Sequence, residues 1–382
     1  MEKAYEGISK GRQRMRPTVV RVYLDRVYDN VQWVKSQLNP HVSLMAVVKA
    51  DGYGHGAEPV ARTALAAGAE SLGVALVEEG ISLRNRGIRV PILVLGQVPF
   101  RQIAEAVDHD LELVVFDPET FDQALSAGQK GGKPVRVHIK IDTGMGRIGM
   151  RPDNFDDEWI ERLRRPGVIF QGLMTHFAKA DAGTDQETAQ QTSRFLDVIE
   201  RCRKNGMAPN WIHAANSAAT LRFPGTQFNL VRLGIAMYGL KAYKGMSLAL
   251  KPALELTSEV VFVKEVGKGF AVGYGGTYIT PEAMKIATIP IGYADGYRRG
   301  LSNKAHVLIR GRAYPVIGRV SMDQLNVGVR LEEGVEVGDP VVLIGSQGEQ
   351  SISADQLADL LDTIGYEVVT GLSARIPRVY GN

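Results

Sequence analysis

One cysteine, Cys202, stands in 382 residues, so no internal disulfide can brace this chain. That scarcity fits a reducing compartment, and a cytoplasmic location is expected. The seven histidines are scattered without metal-ligand spacing, and the carboxylates form no cluster of that kind, so no metal site is expected. Apolar runs are strand-length and broken by charges, which excludes a helical membrane span. The formal net charge of +3 is too small and too dispersed for a nucleic-acid partner. Lys3, Lys10, Arg12, Arg14 and Arg16 make the N-terminus basic, but it has no apolar centre and does not read as a signal peptide. Residues 1–16 are expected to be a flexible tail ahead of Pro17.

What is present is an ordinary globular composition, 45% hydrophobic and 23% charged. The length exceeds what one core usually supports, so two domains are expected. An amphipathic helix over 24–38 comes first. Strand-like runs then begin near Ser43, Ser71, Val90, Leu111, Val135, Val168, Asn210 and Asn229. Helix-compatible stretches at 57–69, 78–86, 118–127 and 186–205 separate most of them, and a short turn at 217–223 separates the last two. Eight such alternations predict an α/β fold whose N-terminal domain, residues 17–253, is a (β/α)8 TIM-type barrel. From about Leu254 the pattern changes to short strands between glycine turns, at 260–266, 287–292, 305–309, 314–320 and 340–345. One helix at 354–364 follows a candidate N-cap, Ser353. Residues 254–382 are therefore expected to be a mostly-β C-terminal domain.

The most informative string is Val48-Lys49-Ala50-Asp51-Gly52-Tyr53-Gly54-His55-Gly56. A lysine closing a buried strand is costly unless paired, neutral or covalently used. Schiff-base chemistry with a carbonyl cofactor such as pyridoxal 5′-phosphate needs such a lysine. The glycines that follow let backbone approach a phosphate. Taken alone, Lys49 is better read as a lysine snorkelling from a strand end. Other polar residues fall at strand ends, where barrel enzymes place their chemistry. Val135-Arg136-Val137-His138-Ile139-Lys140-Ile141-Asp142 alternates strictly and predicts that Lys140 points into the barrel. His176 ends the sixth strand, Asn216 and Ser217 end the seventh, and Arg232 lies in the eighth. Their convergence predicts a site.

These strings, with Asp142-Thr143-Gly144-Met145-Gly146-Arg147, Thr175-His176-Phe177-Ala178, Ala215-Asn216-Ser217-Ala218, Val231-Arg232-Leu233-Gly234-Ile235, Gly273-Tyr274-Gly275 and Ser321-Met322-Asp323-Gln324, resemble those of the alanine racemases, the fold-type III pyridoxal-phosphate enzymes. The resemblance runs from Arg16 onward. It implies interconversion of L- and D-alanine through a cofactor–substrate aldimine, supplying D-alanine for peptidoglycan, in a homodimer with shared active sites. It implies that Lys49 carries the cofactor and is one of two catalytic bases, with Tyr274 of a partner subunit as the other. Tyr53, Ser217, Gly234, Ile235 and Tyr366 would hold the phosphate, with His176 and Asn216 also at the cofactor. Arg232 would face the pyridine nitrogen with His213 behind it. A guanidinium only donates hydrogen bonds, so the ring nitrogen stays unprotonated and side reactions are suppressed. A free tyrosine titrates near ~10 and needs help as a base, for which His176 and Arg232 are placed.

By the same resemblance Arg147 and the partner's Met322 would bind the substrate carboxylate, Asp323 would support them, and Tyr293 with Tyr366 would narrow the entrance to small amino acids. Lys140 would be carbamylated to N6-carboxylysine and position Arg147; the alternative is an unmodified lysine paired with Asp142. Ser321 stands where many members have cysteine, and Lys179 is expected near the entrance. Alternative readings are a broad-specificity racemase for serine or lysine, a basic-amino-acid decarboxylase and a non-catalytic pyridoxal-phosphate-binding protein. Arg232 argues against the decarboxylase, and the β domain with Tyr274 against the carrier.

Overall fold

The computed structural model describes residues 16–181, 185–246 and 250–381. The chain divides into two compact units, residues 25–251 and residues 1–24 with 252–382. In the first, eight parallel strands follow one another around a barrel. They are β2 (Ser43–Val47), β3 (Ser71–Val74), β4 (Ile92–Val94), β5 (Glu112–Val115), β6 (Val135–Lys140), β7 (Val168–Met174), β8 (Trp211–His213) and β9 (Leu230–Leu233); β1 (Val19–Tyr23) lies outside it. Each pairs with the next as far as β8, and β9 returns beside β2 with Arg232 opposite Met45. No regular ladder joins β8 to β9. The gap is bridged instead by Ile212 N–H to Asn229 Oδ1 (2.6 Å) and Arg232 N–H to the Ala215 carbonyl (3.0 Å).

The strands begin within two residues of the positions read from the sequence, because runs buried on both faces leave a continuous apolar signal. The helices between them run Leu24–Ser36, Ala57–Ala66, Val77–Asn85, Phe100–Asp108, Pro118–Gly131, Asp157–Leu163 and Asp185–Lys204. Asp117 caps the Pro118 helix by accepting from Thr120 N–H at 2.7 Å. Met45, Leu93, Val114, Met174 and Leu230, one from each of five strands, pack together in the core.

The boundary expected at residue 17 is corrected. β1 pairs antiparallel with β10 (Leu254–Glu259), Val20 opposite Leu256, and parallel with Arg378–Gly381. Its Val20 and Val22 are buried, an alternation suited to an open antiparallel sheet. Arg16, expected in the tail, donates to both Asp295 oxygens (2.7 and 3.1 Å) and to the Pro290 carbonyl. The rest of that tail, residues 1–15, lies outside the described residues. The sheet of this unit runs, in spatial order, Phe262–Val266, Met284–Ile289, Leu325–Arg330, Arg312–Ile317, His306–Ile309, Pro340–Gln347, β10, β1 and Arg378–Gly381. The helix expected over 354–364 stops at Leu361, where Asp362 turns left-handed (φ 54°), and a second helix, Gly365–Thr370, follows. Ser353 is the N-cap of the first, accepting from Gln356 N–H at 3.0 Å.

One irregularity prepares the site. The β6–β7 register slips between Val137 and His138, so that Val137 faces Phe170 and His138 faces Gly172. A Cβ on Gly172 would lie 2.1 Å from His138 Nδ1. The bulge and the bare glycine together make the slot in which the imidazole lies. Gly172→Ala is therefore expected to destabilise the barrel by about 1–3 kcal/mol through overpacking. Urea unfolding followed by tryptophan fluorescence measures this, and an unshifted midpoint would show that the slot has room to spare.

Candidate active site

Lys49 follows β2 directly, with Val48 N–H bonded to the Gly73 carbonyl of the neighbouring strand (2.9 Å). The backbone then makes a left-handed turn: Ala50, Asp51, Gly52 and Tyr53 have φ of 52°, 52°, 59° and 53°. Each non-glycine there costs about 1–2 kcal/mol. The turn is held by Gly52 N–H to the Val48 carbonyl (2.8 Å) and Gly54 N–H to the Ala50 carbonyl (2.9 Å). Glu79 fixes it from outside, accepting from Ala50 N–H at 2.6 Å and from Ala75 N–H at 2.8 Å. Asp51 accepts from Ala57 N–H at 2.8 Å and ties the turn to the next helix. The Tyr53 ring packs on Tyr238 (centroids 4.8 Å apart), whose hydroxyl donates to the Val47 carbonyl.

Arg232 sits on β9, 4% exposed. Nη2 donates to the carbonyls of Thr175 (2.9 Å) and Ala214 (2.8 Å) and lies 3.0 Å from His176 Nδ1. Nη1 lies 2.9 Å from His213 Nδ1. Burial lowers its pKa to about 10, which leaves it protonated at neutral pH. Both histidines are pushed well below their ordinary value, by burial first and the Arg232 charge second, and are neutral. His138 and Glu112 continue the buried chain behind His213.

Asn216 and Ser217 lie beyond β8 rather than at its end, because they start the helix Ser217–Arg222. Asn216 caps it, accepting from Ala219 N–H at 3.0 Å. Ser217 Oγ accepts from Gly234 N–H (2.9 Å) and Ala236 N–H (3.4 Å), which gathers hydroxyl and backbone donors at one place. A Cβ on Gly234 would lie 2.8 Å from the Tyr53 hydroxyl, so the two strand-end segments meet there. Ile235, 1% exposed, begins the turn that follows.

Lys140, the last residue of β6, is 3% exposed. Burial, then Arg232 and Arg147, drive its pKa well below the ordinary value, against Asp142. Asp142 is not bonded to it. It accepts from the backbone N–H groups of Gly144, Met145 and Gly146, which shapes the loop carrying the exposed Arg147. Burial, then Arg147 and Arg232, also lower the pKa of Lys49, opposed by Glu79. Four cationic side chains thus influence one another in a barrel mouth with few carboxylates. Such a place binds anions and keeps an amine uncharged. A cavity of about 770 Å³ lined by Arg151, Arg194 and Arg201 shares only the Asp142 loop with these residues.

In the β unit, Tyr274 begins a turn between Gly273 (φ 68°) and Gly275 (φ 72°) and is 72% exposed. Gly275 abuts the Arg319 side chain. Tyr293 N–H bonds to the Ser321 carbonyl and Ala294 N–H to that of Met322, both at 3.0 Å, so the expected Tyr293 and Met322 are brought together. Asp323 pairs with Arg375 (2.8 Å), and Tyr366 stands half-buried in Gly365–Thr370. Lys179 is ion-paired with Glu187. Sequence reasoning missed Glu79, Tyr238 and Glu112. Only Glu112 left a signal, as a lone acid in the apolar run Leu111-Glu112-Leu113-Val114.

The depressed lysines set the pH dependence of stability. The unfolded chain, with lysines near their ordinary ~10.4, holds more protons than the folded one above each folded pKa. Stability should therefore rise with pH through the window between the folded values and that ordinary value. Lys140→Met removes one contributor and, with both proteins held free of carbon dioxide so that the amine is unmodified, should flatten the rise in urea midpoint between pH 7 and 9. An equal slope in parent and variant would mean that Lys140 titrates normally.

Comparison with known proteins agrees with this arrangement. The family models for the alanine racemase N-terminal and C-terminal domains match residues 22–242 and 253–380. An alanine racemase of Symbiobacterium thermophilum is 46% identical over 369 residues, covering 96% of this chain and 98% of that one. One of Geobacillus stearothermophilus is 44% identical over 374 residues, covering 96% and 94%. The crystal structure of alanine racemase from Bacillus anthracis with bound L-Ala-P superposes with a TM-score of 0.90 at 42% identity, covering 96% of this chain and 95% of that one. Barrel, β unit and sequence agree over nearly the whole length, and the chain belongs to the alanine racemase family of isomerases.

Proposed function

We propose that the chain interconverts L- and D-alanine with pyridoxal 5′-phosphate held at Lys49, as a cytoplasmic homodimer that supplies D-alanine for peptidoglycan. The observation that carries this is Arg232, a buried guanidinium held by two carbonyls and two neutral imidazoles beside a lysine of lowered pKa. The cofactor fits the residues present. The Tyr53 hydroxyl, Ser217 Oγ and the N–H groups of Gly234 and Ala236 surround a point where even a methyl group at Gly234 would clash. Burial raises the pKa of Tyr53, so its hydroxyl stays a donor. Hydroxyl and backbone donors with surrounding cations suit a phosphate dianion. We assign Ile235 and Tyr366 to the same end on family resemblance.

Pyridoxal phosphate, when bound, supplies a carbonyl for the lysine amine and an electron-withdrawing ring that loosens the α-proton of an amino acid. The residues do the rest. Lys49 Nζ, its positive charge disfavoured, serves as nucleophile and as base at one face of the α-carbon. Tyr274 Oη of a second copy serves the opposite face. His176 accepts on Nδ1 and is neutral, so its proton is on Nε2, ready to donate to a tyrosinate oxygen. Arg232 has only N–H groups to offer the ring nitrogen and cannot protonate it. The weak electron pull that results favours prompt reprotonation over side reactions. Arg147 takes the substrate carboxylate with Met322 of the second copy, and Asp323 and Tyr293 support and narrow that side.

Racemisation of L-alanine faster than of L-serine or L-lysine, abolished in Lys49→Ala, is the expected result of a polarimetric assay. Tyr274→Phe should block α-proton exchange from one enantiomer far more than from the other. Mixing these two inactive variants should restore about a quarter of parent activity, because half the dimers are mixed and each holds one intact site of two. No recovery despite subunit exchange confirmed by mass would sink the shared-site arrangement.

We also propose that Lys140 is carbamylated. Its uncharged amine attacks carbon dioxide, the nitrogen loses a proton to solvent, and the product is a carbamate anion between Arg147 and Arg232. The support is a buried lysine whose amine feels two guanidinium charges. Protein prepared in ¹³C-bicarbonate should show a carbamate resonance that disappears in Lys140→Met. Identical spectra for the two proteins would refute the modification.

A further inference from the structure

Behind Arg232 the barrel buries a carboxylate that the proposed chemistry does not touch. Glu112, at the start of β5 and 3% exposed, lies with Oε2 2.9 Å from His138 Nε2. His138 Nδ1 lies 2.9 Å from His213 Nε2, and His213 Nδ1 lies 2.9 Å from Arg232 Nη1. Four side chains from β5, β6, β8 and β9 thus form one continuous line. Both imidazoles are fully buried and meet edge to face, with their planes 85° apart.

The protons on this line have one consistent arrangement. Arg232 has no acceptor, so His213 Nδ1 carries a lone pair. His213 is neutral, so its proton is on Nε2 and is donated to His138 Nδ1. The His138 proton is then on Nε2 and is donated to Glu112. Running the line the other way would set two N–H groups against each other at Arg232. A carboxylate cannot donate, so Glu112 forbids that reversal from the far end. The Gly172 bulge supplies the slot that holds His138 in the line, since any side chain there would strike Nδ1.

We propose that Glu112 and His138 are positioning residues for Arg232, locking His213 in its Nε2–H tautomer. This rests on the reading that Arg232 faces the cofactor ring. The relay acts at the chemical step, through the aim of the guanidinium, rather than in substrate binding. A glutamine at position 112 can donate, which removes the block at the far end and leaves Arg232 alone to oppose the reversed line.

The test is a ¹⁵N–¹H correlation spectrum of the imidazoles in ¹⁵N-histidine-labelled full-length protein, with racemisation kinetics on the same samples. In the parent, His138 and His213 should both be Nε2–H tautomers. In Glu112→Gln both should gain Nδ1–H population. The variant's kcat should fall about 10-fold with KM little changed, the low end of what outer hydrogen-bond partners contribute elsewhere. A parent in which His213 is Nδ1–H or His138 is doubly protonated overturns the proposal, and that measurement needs no variant to fold. Unchanged tautomers or an unchanged kcat in Glu112→Gln overturn it as well. A parent that does not racemise alanine would instead overturn the functional reading, and with it the role of the relay, while the spectra still report the proton arrangement.

Discussion

A guanidinium buried in the mouth of the barrel is the constraint to which the barrel unit answers. Arg232 loses most of its hydration at 4% exposure and must be repaid with acceptors. Two come from carbonyls at the ends of β7 and β8, which face the barrel mouth only because those strands stop where they do. The other two are imidazole nitrogens, which accept only while neutral. Arg232 enforces that condition itself, since its charge helps hold both histidines well below their ordinary pKa. Replacing the arginine would therefore change the protonation of its neighbours as well as their contacts.

The same positive potential reaches the two lysines. Lys49 and Lys140 come from β2 and β6, strands that do not pair, and both are depressed by burial and by Arg147 and Arg232. A carboxylate bonded to either would cancel the effect. The nearest ones are occupied with backbone: Asp142 with the loop N–H groups of residues 144–146, Glu79 with those of Ala50, Ala75 and Leu76. They shape the segments that bear Arg147 and Lys49 while leaving the cation surplus in place. One division of labour explains both the strained loop geometry and the lowered pKa of the amines.

Much of this was legible in the sequence because it is local. A strand buried on both faces reads as an apolar run, and a lysine closing such a run is conspicuous, so β2 through β9 and Lys49 could be placed before any coordinates. The alternation in β6 placed Lys140 inside, where it is. What could not be read depends on distant pairing. Val19–Tyr23 has a strand pattern but nothing in it tells whether a barrel or an open sheet will take it; its partners are more than 230 residues away. Asn216 and Ser217 were legible as a polar pair, yet which one caps a helix and which accepts from Gly234 depends on where β9 returns. Glu112 announced itself only as an oddity, since its partner His138 lies 26 residues on and its slot depends on Gly172.

The left-handed turn after Lys49 shows why such a site cannot be assembled from local preference alone. Three non-glycine residues at φ near 52° each resist the conformation, and an isolated peptide of this sequence would leave it. The turn survives because Glu79, on the helix Val77–Asn85, bonds the Ala50 amide, and because Tyr53 is wedged against Tyr238, which is anchored to the Val47 carbonyl. The strain is thus carried by the surrounding elements of the barrel unit. The same bonds bring the Tyr53 hydroxyl to Gly234 and start Lys49 from the end of β2, so amine and hydroxyl are set by a single piece of backbone. A relaxed right-handed turn would satisfy the local residues better, but it would carry the tyrosine away from Ser217 and Gly234. The cost is spread through the barrel, and the separation of the two functional groups is the property that it maintains.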